Sequence, residues 1–173
     1  MKIFALGIVF ISALGFAQNR VDPKMPPHTQ FVKSVDNLTL DAAMELATRS
    51  IKKADALEKK VTVAVLDASG EIILLMRGDG VGPHNTEAAR RKAYTALSTK
   101  TPTLLLMRNA AANPDTQNLN TLPELLLLSG GTPVWYKGNV IGSIGIAGGG
   151  SAENDDLIAK AASVPDLGIH TVK

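Results

Sequence analysis

The spacing of apolar and polar residues switches between a period of two and a helical period, and the switches divide the chain into elements. Val61-Thr-Val-Ala-Val-Leu-Asp67 is β-branched and apolar, Ala68-Ser69-Gly70 has turn chemistry, and Glu71-Ile-Ile-Leu-Leu-Met-Arg77 returns as a second apolar run. This predicts a hairpin. The loop Gly78 to His84 follows, with three glycines and one proline, and Asn85 or Thr86 is placed to cap a helix. In that helix Ala89, Ala93, Ala96 and Leu97 form the stripe expected to be buried, and Arg90, Arg91 and Lys92 fall on the other faces.

Upstream, a helix is expected from Thr39, with Leu40, Ala43, Met44, Ala47, Ile51 and Ala54 facing inward and Glu45, Arg49, Lys52 and Lys53 facing water. Downstream, Thr101-Pro102 reads as a helix start for a short buried helix, Thr103 to Arg108, with Met107 in the core. Asn109 to Pro123 reads as an irregular connection or lid. Glu124 to Leu128 predicts a strand that Gly130-Gly131 breaks, Pro133 to Tyr136 resumes it, and Lys137-Gly138-Asn139 turns into Val140 to Ala147. Trp135 and Tyr136 are adjacent and so point to opposite faces. Ser151 is placed to cap a last helix with acidic early residues and apolar Leu157, Ile158 and Ala161. Gly148-Gly149-Gly150 precedes it without G-x-G-x-x-G or G-K-[ST] spacing, so close backbone packing accounts for those glycines better than a phosphate site.

Composition narrows the function classes. After Lys2 comes an uncharged run, Ile3 to Ala17, with Gly15 and Ala17 at the −3 and −1 positions of a cleavage site, which predicts a signal peptide over residues 1–17 and export to the periplasm or beyond. The run is shorter than the roughly 20 apolar residues of a spanning helix, so no membrane anchor is expected after cleavage. Residues 18–37, with Pro23, Pro26, Pro27 and His28, read as an extended arm, and 38–173 as a single domain. The chain has no cysteine, which excludes a disulfide framework. A net charge of +2, lowered by one when Lys2 leaves, and 4% aromatic residues argue against nucleic acid as a partner.

The three histidines are scattered and no H-E-x-x-H, G-x-S-x-G or cysteine nucleophile is present, so a dedicated zinc site and the familiar hydrolase constellations are disfavoured. His170 reads as a surface residue. The remaining chemistry gathers around the central loop: Arg77, Asp79, His84, Arg90, Arg91 and Tyr94. His84 stands at a helix start, where the dipole favours neutral imidazole, the form that an iron centre or a general base requires. Arg77, Arg90 and Arg91 are candidate partners for ligand carboxylates. The bland alternatives are a loop histidine bonded to Asp79, a rim ion pair between Arg77 and Asp79, and a solvated cationic helix face paired with Glu87.

Five blocks carry a resemblance: Val63-Ala-Val-Leu-Asp-Ala-Ser-Gly70, Arg77-Gly-Asp-Gly80, Ala88-Ala-Arg-Arg-Lys-Ala-Tyr-Thr95, Gly130-Gly-Thr-Pro133 and Val140-Ile-Gly-Ser-Ile-Gly-Ile-Ala-Gly148. In order and spacing they resemble the GlcG/HbpS family of haem-binding proteins, from about Leu38 to Ala162, a family related to the C-terminal domain of PduO-type corrinoid adenosyltransferases. The resemblance implies an α/β fold of the α+β type, profilin-like, with a five-stranded antiparallel sheet flanked by helices. It also implies homo-oligomers from dimers to octamers and haem as cofactor, with haem or iron sensing and peroxide-linked haem breakdown in some secreted members. His84 as iron ligand is nominated on the chemistry of this sequence, not on a family motif. Two other readings stand beside haem binding: an enzyme with His84 as general base, Arg77 on a substrate carboxylate and Asp79 orienting the imidazole, and a corrinoid-binding module.

Overall fold

The structure, a computed structural model, describes residues 31–173. The expected leader and most of the proline-rich arm, His28 included, lie outside the described residues. The compact unit from Val35 to Lys173 contains α1 (Leu40–Ala56), β1 (Thr62–Asp67), β2 (Ile72–Arg77), α2 (His84–Thr99), α3 (Thr103–Ala112), β3 (Gly131–Tyr136), β4 (Asn139–Ala147), α4 (Ala152–Lys160) and β5 (Ile169–His170). The strands form one antiparallel sheet in the order β2-β1-β4-β3-β5, with β1, β4 and β3 each paired on two sides and β2 and β5 at the edges. This is the expected five-stranded antiparallel sheet flanked by helices.

Alternation along β1 and β4 divides the core in two. Val63, Val65, Ile144 and Ile146 point to the face covered by α1 and α4, where they meet Leu46, Ala47 and Ile158. Ala64, Leu66 and Ala147 point to the other face, where they meet Ala89 and Ala93 of α2. Small residues on this second face let α2 come very close. A methyl group on Gly145 would lie 2.0 Å from the Ala89 carbonyl oxygen, and one on Gly131 would lie 2.2 Å from that of Lys92. These two glycines pair across β3 and β4, so the sheet is bare where the helix crosses it. Gly131 therefore opens β3 and does not interrupt it.

Several expectations shift. On α1 the buried stripe is Ala43, Leu46, Ala47, Ser50 and Ala54, whereas Leu40 and Met44 are exposed: packing on the sheet turns the stripe toward Leu46. The last helix likewise leaves Leu157 exposed. Neither Asn85 nor Thr86 caps α2, because the helix begins at His84 after Pro83, whose fixed φ already suits helix entry. Pro102, not Thr101, precedes α3, with no side-chain cap, and α3 continues to Ala112. The connection beyond it holds a 3-10 turn, Gln117–Thr121. Glu124 to Leu128 forms no strand. Trp135 and Tyr136 do lie on opposite faces, Tyr136 against the α1 side and Trp135 on the α3 side.

The hairpin turn is held by one carboxylate. Asp67 Oδ1 accepts the N–H groups of Ser69 (2.8 Å) and Glu71 (3.0 Å), and Oδ2 accepts the Asn37 amide (3.3 Å). Asn37 in turn accepts the Ala68 N–H at 2.8 Å, which ties the stretch before α1 to the turn. Partial burial raises the Asp67 pKa, but the hydrogen bonds to Glu71, Asn37, Ser69 and Gly70 outweigh it and hold the group below the usual carboxylate range. A carboxylate with a depressed folded pKa stabilises above its unfolded value, near about 3.9, and loses that contribution as pH falls through the lower folded value. We predict that Asp67→Asn is less stable than the parent at neutral pH and that the gap closes on acidification below about pH 4. Urea unfolding at several pH values checks this; a gap independent of pH contradicts it.

Candidate functional site

The six residues singled out in the sequence are all placed by β2, the loop after it and α2, but they separate into two groups. Arg77 ends the edge strand β2, exposed, and makes no ion pair among the described residues. Asp79 is exposed in a turn pinned by Gly78 N–H to the Val61 carbonyl (3.0 Å) and Val81 N–H to the Gly78 carbonyl (3.2 Å). Its charge acts on Lys60, whose ammonium is held above its ordinary range first by its hydrogen bond to Asp55 and in smaller part by Asp79. His84 is exposed at the first position of α2, and its imidazole packs over Gly82, where an added methyl would meet Cε1 at 2.9 Å. No hydrogen bond joins His84 to Asp79 among the described residues.

Arg90 and Arg91 lie further along α2, roughly 10 Å from His84 by helical rise. Arg90 binds Glu87 through Nε (3.0 Å) and Nη2 (2.7 Å) and Glu124 through Nη2 (3.1 Å). The Glu87 hydrogen bond, opposed by partial burial and joined by Glu124, pushes the guanidinium pKa further up, and the same pair holds Glu87 below its ordinary value. Arg91 Nη2 donates to the carbonyls of Pro123 (2.7 Å) and Leu125 (2.9 Å). Tyr94 is half-buried over the hairpin turn, its Cε2 at 3.4 Å from where a Gly70 methyl would lie. The two arginines thus grip the protein's own chain at 123–125, leaving Arg77 and His84 as the solvent-facing cation and imidazole of the set.

That grip explains why Glu124 to Leu128 is not a strand. Its backbone is already engaged: the Leu125 carbonyl, with that of Pro123 just before the segment, by Arg91, and the Leu126 N–H by Thr95 Oγ1 at 2.8 Å. Farther on, the Ser129 hydroxyl donates to the Ala152 carbonyl. Strapped in this way, Leu126, Leu127 and Leu128 turn toward Met107, Ala110 and Ala111 of α3 and the amides of Asn118 and Asn120, enclosing an open groove of about 640 Å³. Met107 is therefore half-buried in a groove wall and not sealed in the core. Local periodicity gives no sign of this; the available signal was four consecutive leucines after a polar connection, more apolar surface than one face of an exposed strand can bury.

Lys92 fixes the other end of the segment, and here the expectation of a solvated cation is corrected. Its side chain is 6% exposed, with Nζ 2.8 Å from Asp155 Oδ2 and 2.9 Å from the Ile146 carbonyl. Asp155 Oδ1 accepts the Gly149 N–H at 2.8 Å. A methyl on Gly130 would lie 2.7 Å from Asp155 Cβ, so only glycine lets the chain enter β3 past this pair. Among the described residues no group of three His, Cys, Asp or Glu side chains is placed to hold a bare metal ion.

With this geometry in hand, comparison with known proteins is informative. The family model described as "Haem degrading protein HbpS-like" matches residues 38–163. The chain belongs to this family. The crystal structure of HbpS is 39% identical, with a TM-score of 0.70, over 76% of this chain and 91% of that one. The crystal structure of a PduOC:heme complex is 27% identical, with a TM-score of 0.69, over 79% of this chain and 99% of that one. Corrinoid adenosyltransferase PduO of Salmonella typhimurium is 26% identical over 147 residues, 84% of this chain and 44% of PduO, so the chain spans less than half of that enzyme.

Removing one partner of a buried ion pair leaves a buried charge uncompensated, at a cost of roughly 3–5 kcal/mol, whereas replacing both by apolar residues costs far less. Lys92→Met is expected to lower stability by about that amount, and Lys92→Met with Asp155→Leu to recover most of it. Urea midpoints of the single and double variants test this; an unmoved midpoint in Lys92→Met contradicts the buried pair.

Proposed function

We propose that the protein is exported and binds haem in the groove between α3 and Leu126 to Leu128. The observation that carries this reading is the PduOC:heme complex, whose fold this chain shares along 99% of that chain's length. The groove suits the group: its volume lies in the range of cofactor sites, three leucines and two alanines offer apolar contact to a macrocycle, and a methionine thioether is among the established axial ligands of haem iron. Asn118 and Asn120 line the same groove and carry amides that suit carboxylates. His84, exposed at the head of α2, is the other candidate to hold the iron, with Arg77, which makes no ion pair among the described residues, nearby on the chain. Arg77 and His84 are both exposed, so a haem there would lie on an open surface or against a second subunit.

Haem supplies an iron that reacts with oxygen species, and the family's haem-degrading description supports peroxide-linked breakdown as an activity of the bound group. The chain's own part is to hold the macrocycle and shield one face of it. Similarity to PduO supports a corrinoid as the competing macrocycle. The signal-peptide pattern of residues 1–17 supports export. Assembly into homo-oligomers is supported by the exposed apolar residues Ile72, Leu75 and Met76 on the edge strand β2.

Ferric haem titrated into the purified protein is expected to give a saturable Soret shift. Met107→Ala is expected to weaken binding by about tenfold or more, a loss of roughly 1.4 kcal/mol, with His84→Ala nearly unchanged. The converse pattern moves the iron to His84, and no Soret shift, or stronger competition by a corrinoid, overturns haem as the ligand.

A further inference from the structure

The sheet ends on two unequal edges. On one side β5 is two residues long. On the other, β2 runs six residues, Ile72–Arg77, and is paired only to β1, so alternate residues along it turn their N–H and C=O groups outward with no strand to receive them. Its side chains are uncovered as well: Ile72 is 47%, Leu75 38% and Met76 42% exposed. Open edges in natural sheets are commonly blunted by lysine, proline or an inward-pointing charge, and Ile72 to Met76 has none of these. One register shift against β1, at Val65/Leu66, lies next to the hairpin turn and leaves Leu74 to Arg77 regular.

The charges sit at the two ends of this run. Glu71 precedes it and Arg77 closes it, both exposed, and neither makes an ion pair among the described residues. Extended chain holds them about 20 Å apart, too far to meet within one protomer. An acid, five apolar residues and a base complement themselves when a second strand runs antiparallel. With Leu74 on a two-fold axis, Arg77 of each protomer falls beside Glu71 of the partner subunit. A parallel copy in register opposes like charges at both ends.

We propose that β2 is the surface on which a second copy of this chain docks, edge to edge and antiparallel, so that the sheet continues across the seam. Main-chain hydrogen bonds and the apolar run supply attraction, and two symmetry-related contacts between Arg77 and Glu71 of the partner subunit set direction and register. The pairing names the contact behind the homo-oligomer reading above and rests on that reading. The α3 groove lies toward the opposite edge of the sheet, beside β3, and stays open in such a pair.

Native mass spectrometry of the full chain across a concentration series tests this. The parent is expected in even-numbered assemblies. Glu71→Arg and Arg77→Glu each set like charges together twice per pair, and each is expected to weaken self-association by about tenfold or more, with folding checked by circular dichroism. Mixed in equal amounts, the two variants complement each other at both contacts, so the mixture is expected to re-form pairs containing one of each; the double variant is expected to pair with itself. Soret titration is expected to be equal in parent and variants, and loss of haem binding together with the pairs overturns the separation of seam and groove. A parent that stays monomeric overturns both the pairing and the homo-oligomer reading. An assembly that neither single variant weakens, or that mixing does not restore, overturns the pairing alone.

Discussion

The buried contact between Lys92 and Asp155 is the constraint on which the rest of this structure depends. An ammonium and a carboxylate are withdrawn from water together, and each also makes a hydrogen bond to the main chain, the lysine to the Ile146 carbonyl and the aspartate from the Gly149 N–H. Such a pair gives little net stability over an apolar replacement, but it penalises every arrangement in which either partner is displaced. It therefore sets position more than it adds strength. Three elements are registered at one point: α2 through Lys92, the end of β4 through Ile146, and the start of α4 through Asp155.

From that point the layout of the outer surface follows. Because α2 lies directly on the bare stretch of sheet at Gly131 and Gly145, its flanks are free to carry Arg91 and Thr95, which capture the main chain of 123–126. The captured segment cannot join the sheet, so its leucines face α3 and make the groove. The groove is thus made by a helix whose side chains take the main-chain hydrogen bonds of a segment that its apolar pattern marks as a strand.

Strands β1 to β4 and the four helices are readable in the sequence because each is set by local pattern: the β-branched run at Val61 to Leu66, the turn chemistry of Ala68 to Gly70, the alanine stripe of α2; β5, two residues paired to Trp135 and Tyr136, has no such pattern. Gly130 and Gly131 read as strand breakers, whereas Gly131 opens β3 and, with Gly145, is where α2 comes close to the sheet. Lys92 is opaque to such reading, since in the run Ala88-Ala-Arg-Arg-Lys-Ala it looks like its neighbours and its partner lies 63 residues away. Glu124 to Leu128 misleads for a similar reason: its apolar character suggests a strand, while its backbone partners are side chains of a helix some thirty residues earlier. Met107 follows from that error, because it belongs to a core only if the leucines opposite it belong to a sheet. The loop at His84 was legible as chemistry but not as geometry, for nothing in Gly78 to Pro83 states whether a cavity forms beside it.

The central claim is that α2 builds a macrocycle seat by holding residues 123–126 against its own flank. Ferric haem is paramagnetic and broadens the NMR signals of nuclei close to the iron, so the methyl resonances of the haem-loaded protein locate the seat directly. The account predicts that Met107 and Leu126, Leu127 and Leu128 lose intensity while Ala89, Ala93 and the residues around Trp135 keep theirs. Broadening confined to Val81 and the loop before His84, with the Met107 methyl unaffected, would contradict it.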